Sequence, residues 1–381
     1  MDSGKESSPA LGERLMRRWQ DWALRSVLVG SGLMASLVVA EITLRMFHLA
    51  PVGGLATVSQ REFERVPGLF HPRQRLVDRT IPALPHLTTI DSLGYRGTRA
   101  FPRERPVGEL RILMLGDSFT FGSYVDDNES LPAQLESFLL DRCTAVIRVI
   151  NAGVGGSTIN SANEMAGRAL PLGIDVGVLT FTENDVSDLI NPMWGNLARN
   201  RAAKSQFPMS FFYPMARNLA LWNLLLQARA RLVTMRTKKS AVRAAAGSST
   251  PAGDEDTLRA QYTRRLRELR NRMDGAGIVL VFGVFPSHRS LAKDTPGSIV
   301  QWAEHIGREA GLPTVNYLAA LRSTPGPTES LYLLPHDGHP SAKGYRVVAE
   351  MLADSLLALP TVARHCGPNL GLSPVPNSRK P

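Results

Sequence analysis

The first sustained pattern along the chain is an uncharged, mostly apolar run over residues 26–40, SVLVGSGLMASLVVA, bracketed by Arg25 and by Glu41 and Arg45. Fifteen helical residues reach about 22 Å, less than the roughly 30 Å of a hydrocarbon core. Carried to Phe47, the helix over 26–47 is long enough to span, with Glu41 and Arg45 near the interface and paired at i, i+4. Arg14, Arg17 and Arg18 precede it, whereas 46–60 holds no Lys or Arg. The positive-inside rule then leaves 1–25 as a cytoplasmic basic tail and sends the rest across the membrane. Two other readings stay open. Val38-Val39-Ala40 has the form of a signal-peptidase site after a short apolar core, and a buried helix of a soluble fold has the same composition.

From 48 to 106 the sequence is punctuated by Pro and Gly without a sustained period, which predicts a linker that becomes a docked extension around Leu93-Gly94-Tyr95-Arg96. Regular alternation comes next. Short apolar runs at 111–116, 148–152, 175–182, 277–285 and 313–318 predict five buried strands. Helical spacing at 130–142, 161–170, 258–273, 301–310 and 341–357 predicts the helices between and after them. Strands alternating with helices imply parallel βαβ units, so a three-layer α/β/α domain over 107–360 with a flavodoxin-like five-stranded parallel sheet. The interval 191–256 breaks the rhythm and is expected to be an insertion, partly helical and partly disordered. Residues 361–381, rich in Pro, Gly and Asn, are expected to be a flexible tail.

Charge changes the picture at one place. The 381-residue chain carries a formal net charge of +10. Between Leu189 and Gly253 there is no Asp or Glu, yet ten Lys and Arg occur, among them Arg236, Lys238, Lys239 and Arg243. This block suits an anionic polymer or anionic lipid headgroups, and equally a solvated insertion. No recognition motif accompanies it, so nucleic acid is not expected. The two cysteines, Cys143 and Cys366, have no metal-site spacing and cannot form a stapled scaffold.

Candidate chemistry sits at the two ends of the alternating region. Gly116-Asp117-Ser118-Phe119-Thr120-Phe121-Gly122 comes directly after the first strand, where open α/β sheets place their ligands and where backbone N–H groups can stabilise an oxyanion. Taken alone, Ser118 fits a helix cap as well as a nucleophile. His336-Asp337-Gly338-His339-Pro340 precedes the last helix, and an Asp and a His two apart on such a loop can supply an orienting carboxylate and a general base. His336 is expected to be a loop residue and His339 the base.

With both ends in view, residues 111–357 outside the insertion resemble the SGNH (GDSL-type) hydrolases, and in particular membrane-anchored members tied to polysaccharide O-acetylation. Four blocks occur in family order. The resemblance implies Ser118 as nucleophile, with Asp337 and His339 completing the catalytic set. It implies an oxyanion hole from the Ser118 N–H, the Gly156 N–H in Asn151-Ala152-Gly153-Val154-Gly155-Gly156, and the Asn184 side chain in Thr182-Glu183-Asn184-Asp185. Two departures stand out. Thr182 replaces the usual Gly of the third block, and the last block is Asp-Gly-His where Asp-x-x-His is common. The shorter spacing is familiar in branches tied to polysaccharide O-acetylation. The implied activity is an extracytoplasmic serine esterase or acyltransferase working on O-acyl carbohydrate, with no metal or organic cofactor. A lysophospholipase-like lipid-ester hydrolase and a non-catalytic envelope component are the alternatives.

A strand order of 2-1-3-4-5 would set the first and last helices of the domain side by side. Cys143 comes after the one and Cys366 after the other. In an oxidising compartment they are placed either to form a disulfide or to remain two unrelated thiols.

Overall fold

A computed structural model describes residues 11–47, 65–79, 83–99, 104–190, 219–225, 252–293 and 297–366, with isolated positions between them. Two compact units result, one of 1–53 with 214–237 and the other of 54–213 with 238–381.

In the first unit, helix α1 spans Leu11–Met46. It begins well before the expected 26, so Arg14, Arg17 and Arg18 lie on the helix and not in an irregular tail. The segment 13–25 is built from good helix formers, and a helix once nucleated propagates through such residues. Arg18–Met46 is apolar and long enough to cross a membrane, about 43 Å at 1.5 Å per residue. Its apolar side chains, such as Val27, Leu33 and Val39, are exposed. Glu41 and Arg45 pair as expected, at 2.7 Å. Glu41 does more, because its two carboxylate oxygens accept the N–H groups of Ala220 and Leu221 at 2.8 and 3.0 Å. It thereby caps a short helix over 220–225 that belongs to the insertion. The basic stretch 236–251 and the tail from 367 lie outside the described residues.

The second unit opens with a hairpin that the sequence did not announce. Strands β1 (Arg75–Asp78) and β2 (His86–Thr89) pair antiparallel, Arg75 facing Thr89. Then come β3 (Leu110–Leu115), a one-turn α2 (Ser118–Phe121), α3 (Leu131–Arg142), β4 (Ile147–Asn151), α4 (Ile159–Ala169) and β5 (Val176–Thr182). The expected insertion ends before 256, because α5 (Ala252–Gly275) begins at Ala252; then come β6 (Val279–Phe285), α6 (His288–Leu291), α7 (Ser298–Glu309), β7 (Thr314–Asn316) and α8 (Leu318–Ser323). The chain closes with α9 (Ala342–Leu357) and α10 (Pro360–Cys366). The last of these corrects the expected flexible tail, whose first residues are helical. Pro at a first helical position is pre-set for that conformation, and Val362 gives α10 a buried anchor.

The five strands from β3 onward form one parallel sheet in the order β4-β3-β5-β6-β7, the 2-1-3-4-5 order expected. Alternate residues of each central strand feed opposite layers. Leu110, Ile112 and Met114 pack with α3 and α9, whereas Leu113 and Leu115 pack with α4 and the α5 face. Strands buried on both sides are apolar at most positions, which is why β3, β5 and β6 read as near-continuous runs, interrupted by Arg111 in β3 and by Thr180 and Thr182 in β5.

With that order α3 and α9 are neighbours, and a disulfide joins Cys143 to Cys366 with Cα atoms 3.9 Å apart. Of the two readings of these cysteines, the bonded one is found. It lies at the end of the sheet where strands begin, away from the ends that carry the candidate chemistry.

Candidate active site

Ser118 is the first residue of α2, immediately after β3. Asp117 caps that turn, accepting the Phe119 N–H at 2.8 Å. The loop after β4 presses against it so closely that a methyl group on Gly153 would stand 2.3 Å from Phe121 N. Only a residue without Cβ fits there. The same loop is tied to β3 by Ser157 Oγ, which donates to the Gly116 carbonyl at 2.8 Å.

His339 comes from the far end of the sequence. Its loop is folded back on itself by Leu333 N–H donating to the His339 carbonyl and Asp337 N–H donating to the Leu333 carbonyl. Ser341 then caps α9 by accepting the Gly344 N–H. His339 Nε2 lies 2.7 Å from Ser118 Oγ. On the other side of the ring, Nδ1 bonds the Asp337 carboxylate, which also accepts the His339 backbone N–H at 2.8 Å. A carboxylate can only accept, so Nδ1 carries the proton and Nε2 is left to accept from the serine hydroxyl. Residues 221 positions apart thus meet in the arrangement that nucleophilic acyl transfer requires. His336 is exposed and stands outside it.

The two other expected residues are near, in different conditions. Gly156, in the loop after β4, has φ 68°, a left-handed conformation that favours glycine. Its neighbour Gly155 faces the serine, a methyl group there standing 4.0 Å from Ser118 Cβ. Asn184 lies in the turn after β5, with Oδ1 3.0 Å from the Thr182 hydroxyl and Nδ2 donating to Asp188 at 2.7 Å. Its side chain also hydrogen-bonds the Asp117 carboxylate.

Several participants were not legible in sequence. The His339 ring sits between Phe119 and Tyr124, with centroids 5.2 and 5.3 Å away. Tyr124 adopts φ 65°, uncommon for an aromatic residue. Its hydroxyl is pushed up from its ordinary value by burial first, and then by Asp337 and Asp78. The loop that carries Tyr124 is fixed from outside the sheet by Arg96. That buried guanidinium donates to the carbonyls of Phe121, Gly122 and Val125 and pairs with Asp127 at 3.1 Å. Strand β2 docks on the same loop through Leu87 and Thr89 N–H groups bonded to Asp126 and Asp127. Beneath the serine, Asp117, Thr182 and Asp185 are all buried, and the Thr182 hydroxyl contacts both carboxyls. Burial raises both carboxyls, Asp185 well above the usual range with the Asp117 charge adding to the effect.

The family model of the GDSL-like lipase/acylhydrolase family matches residues 114–347. No curated protein matches the chain. Among solved structures, it is similar to the lipase/acylhydrolase from Enterococcus faecalis, at 15% identity over 65% of this chain and 95% of that one, TM-score 0.38. It is also similar to Axe2, an acetylxylan esterase from Geobacillus stearothermophilus, at 15% identity over 66% and 95% of the two chains, TM-score 0.39. With more than half of its length matched by that model, the chain belongs to the GDSL-like lipase/acylhydrolase family of serine ester hydrolases.

Proposed function

We propose that Ser118, His339 and Asp337 carry a two-step acyl transfer on O-acyl, chiefly O-acetyl, groups of carbohydrate outside the cytoplasm. The reading of the site rests on one observation, the continuous contact from Ser118 Oγ through the His339 ring to Asp337. His339 Nε2 takes the hydroxyl proton as Ser118 Oγ attacks the ester carbonyl. The resulting oxyanion is met by the N–H groups of Ser118 and Gly156 and by the Asn184 side-chain amide. His339 then returns its proton to the leaving alcohol oxygen, and an acyl-serine remains. Water or a sugar hydroxyl, deprotonated by the same ring, releases the acyl group and restores Ser118.

The carbohydrate assignment is supported by the Asp337-Gly338-His339 spacing, the form familiar in polysaccharide O-acetylation branches. The extracytoplasmic assignment is supported by the basic N-terminal flank of α1 and by the Cys143–Cys366 bond, since such bonds persist in oxidising compartments. In this reading α1 is an uncleaved anchor. A second substrate class has its own support. Phe212, Leu219 and Leu225 of the insertion are exposed, which suits contact with lipid and an ester of lipid as substrate.

The deciding experiment offers the purified chain p-nitrophenyl acetate, acetylated xylan and lysophospholipid. Acetate release from xylan with no turnover of lysophospholipid is expected. Turnover of lysophospholipid alone would replace the carbohydrate reading by the lipid one. For topology, an alkaline phosphatase fused at the C-terminus should be active, and an inactive fusion would place the domain in the cytoplasm.

A further inference from the structure

The Thr182 hydroxyl has one proton and three oxygen neighbours, Asp117 Oδ2 at 2.9 Å, Asp185 Oδ1 at 3.0 Å and Asn184 Oδ1 at 3.0 Å. The amide orientation of Asn184 is set by Asp188, to which its Nδ2 donates. Oδ1 is therefore the atom turned to Thr182, and it brings no proton. One hydroxyl proton can be shared between two of these acceptors. A third oxygen at hydrogen-bond distance must supply a proton of its own. Two buried carboxylates bridged by a single hydroxyl would otherwise be like charges held together without water.

The surroundings decide which acid carries it. Burial raises the Asp117 carboxyl too, but it accepts the Phe119 N–H at the start of the helix bearing Ser118 and hydrogen bonds from Thr182 and Asn184, donors that favour its charged form. Asp185 Oδ2 takes the longer contacts, from Thr182 N–H at 3.3 Å and the Tyr262 hydroxyl at 3.5 Å. That leaves Asp185 Oδ1, against the Thr182 oxygen, as the place for a proton.

We propose that Asp185 is a neutral carboxylic acid which donates through the Thr182 hydroxyl to the Asp117 carboxylate, making Asp185 and Thr182 positioning residues for the Ser118 turn and the Asn184 amide. The Thr182 proton is shared between Asp117 and Asn184 Oδ1, so one network sets both the cap beneath the nucleophile and the plane of the amide that meets the oxyanion. The usual Gly at position 182 has no hydroxyl, so the bridge is a property of this chain. The titratable groups facing the cluster are Asp117 before α2, Asp188 after β5, Tyr262 on α5, Tyr345 on α9 and His339. Burial, reinforced by the neighbouring acid, raises the Asp185 carboxyl well above its ordinary value. The same surroundings hold this proton far more tightly than an exposed aspartate would.

The proposal rests on Ser118 being the nucleophile, and its test separates the two. Infrared difference spectra of the intact detergent-solubilised chain at neutral pH, wild type minus Asp185→Asn, should contain a protonated-carboxyl C=O band that shifts in D₂O. Absence of that band overturns the proposal whatever the triad does. On p-nitrophenyl acetate, Thr182→Val should lower kcat about 10- to 100-fold with little change in KM, since a buried bond between charged and polar groups is lost. Thr182→Ser should recover most of that. Asp185→Asn, which keeps a donor, should be at least about tenfold more active than Asp185→Val, and should lack the fall in kcat/KM that loss of the Asp185 proton causes in the wild type as pH rises. Equal activity of the Asn and Val variants, or an Asn variant with the wild-type dependence of kcat/KM on pH, would overturn the assignment. Turnover surviving in Ser118→Ala would remove the nucleophile and leave the infrared result standing.

Discussion

Replacing both cysteines by serine isolates the contribution of the Cys143–Cys366 bond. The bond closes a segment of 223 residues, which takes in most of the sheet. Chain-entropy arithmetic for a loop of that length gives about 5 kcal/mol of lost freedom in the unfolded chain. Native bonds deliver less, roughly 2–4 kcal/mol, because unfolded chains retain structure. The native geometry argues that little is lost in the folded state. Val362 is fully buried beside the bond, and Ala145 N–H donates to the His365 carbonyl at 3.2 Å, so α10 stays docked without the sulfurs. A loss of about 3 kcal/mol corresponds to a drop of roughly 6–12 °C in Tm for a domain of this size. The assay is a thermal or urea melt of the detergent-solubilised protein with and without reductant, monitored by circular dichroism. Wild type should shift on reduction to the position of the variant, and the variant should be indifferent to reductant. Ester turnover at 25 °C should be retained, because the bond lies where the strands begin and Ser118 where they end. A variant melting within about 1 °C of the oxidised wild type would refute the reasoning, as would two titratable thiols in unreduced protein.

Ser118→Ala and His339→Ala should each lower kcat by about 10⁴- to 10⁶-fold and abolish labelling by a fluorophosphonate, whereas His336→Ala should keep most turnover. Arg96→Met should destabilise the domain by roughly 3–5 kcal/mol in urea melts, because Asp127 is left buried and unpaired. Arg96→Lys should recover only part of this, a point charge being unable to span the carbonyls the planar fork reaches. The Asp91 carboxyl accepts the Leu93 and Tyr95 N–H groups, yet burial pushes it up to about 6. Its folded form therefore binds the proton more tightly than the unfolded chain, so this group's contribution is greatest below about pH 4 and is lost as pH rises to about 6. Asp91→Asn should flatten that part of the stability-versus-pH curve and, above pH 6, raise stability by about 2–3 kcal/mol at most. An unchanged curve would put Asp91 in contact with water.

Much of the architecture was legible because the sheet is buried on both faces. Runs such as 112–116 and 277–285 leave no polar position to confuse strand with amphipathic helix. The triad was legible because Ser118 and His339 lie in short blocks beside recognisable element boundaries. What escaped was local structure without a period. Strands β1 and β2 have four residues each, with Arg75 exposed and Val77 almost half so, too short for alternation to be read. Arg96 works through main-chain carbonyls, and a carbonyl has no sequence signature. Thr182 was visible as a departure from glycine, but its meaning depends on counting protons among oxygens that only the fold brings together. Residues 361–366 read as tail because Pro, Gly and Asn dominate the stretch from 367 onward, and Pro360 reads as a stop where it serves as a first helical position.

The Arg96 side chain also bears on what is inherited as a unit. The part of the chain that matches the family begins at residue 114, yet the carbonyls and the buried Asp127 of the loop over 121–127 are satisfied by a residue upstream of that start. A gene fusion that joined this catalytic core to a new leader at the first sheet strand would leave those carbonyls and an unpaired acid inside the protein. Exchanging either this upstream segment or the nucleophile loop alone with that of a relative should therefore destabilise the domain even when every block of the hydrolase is intact.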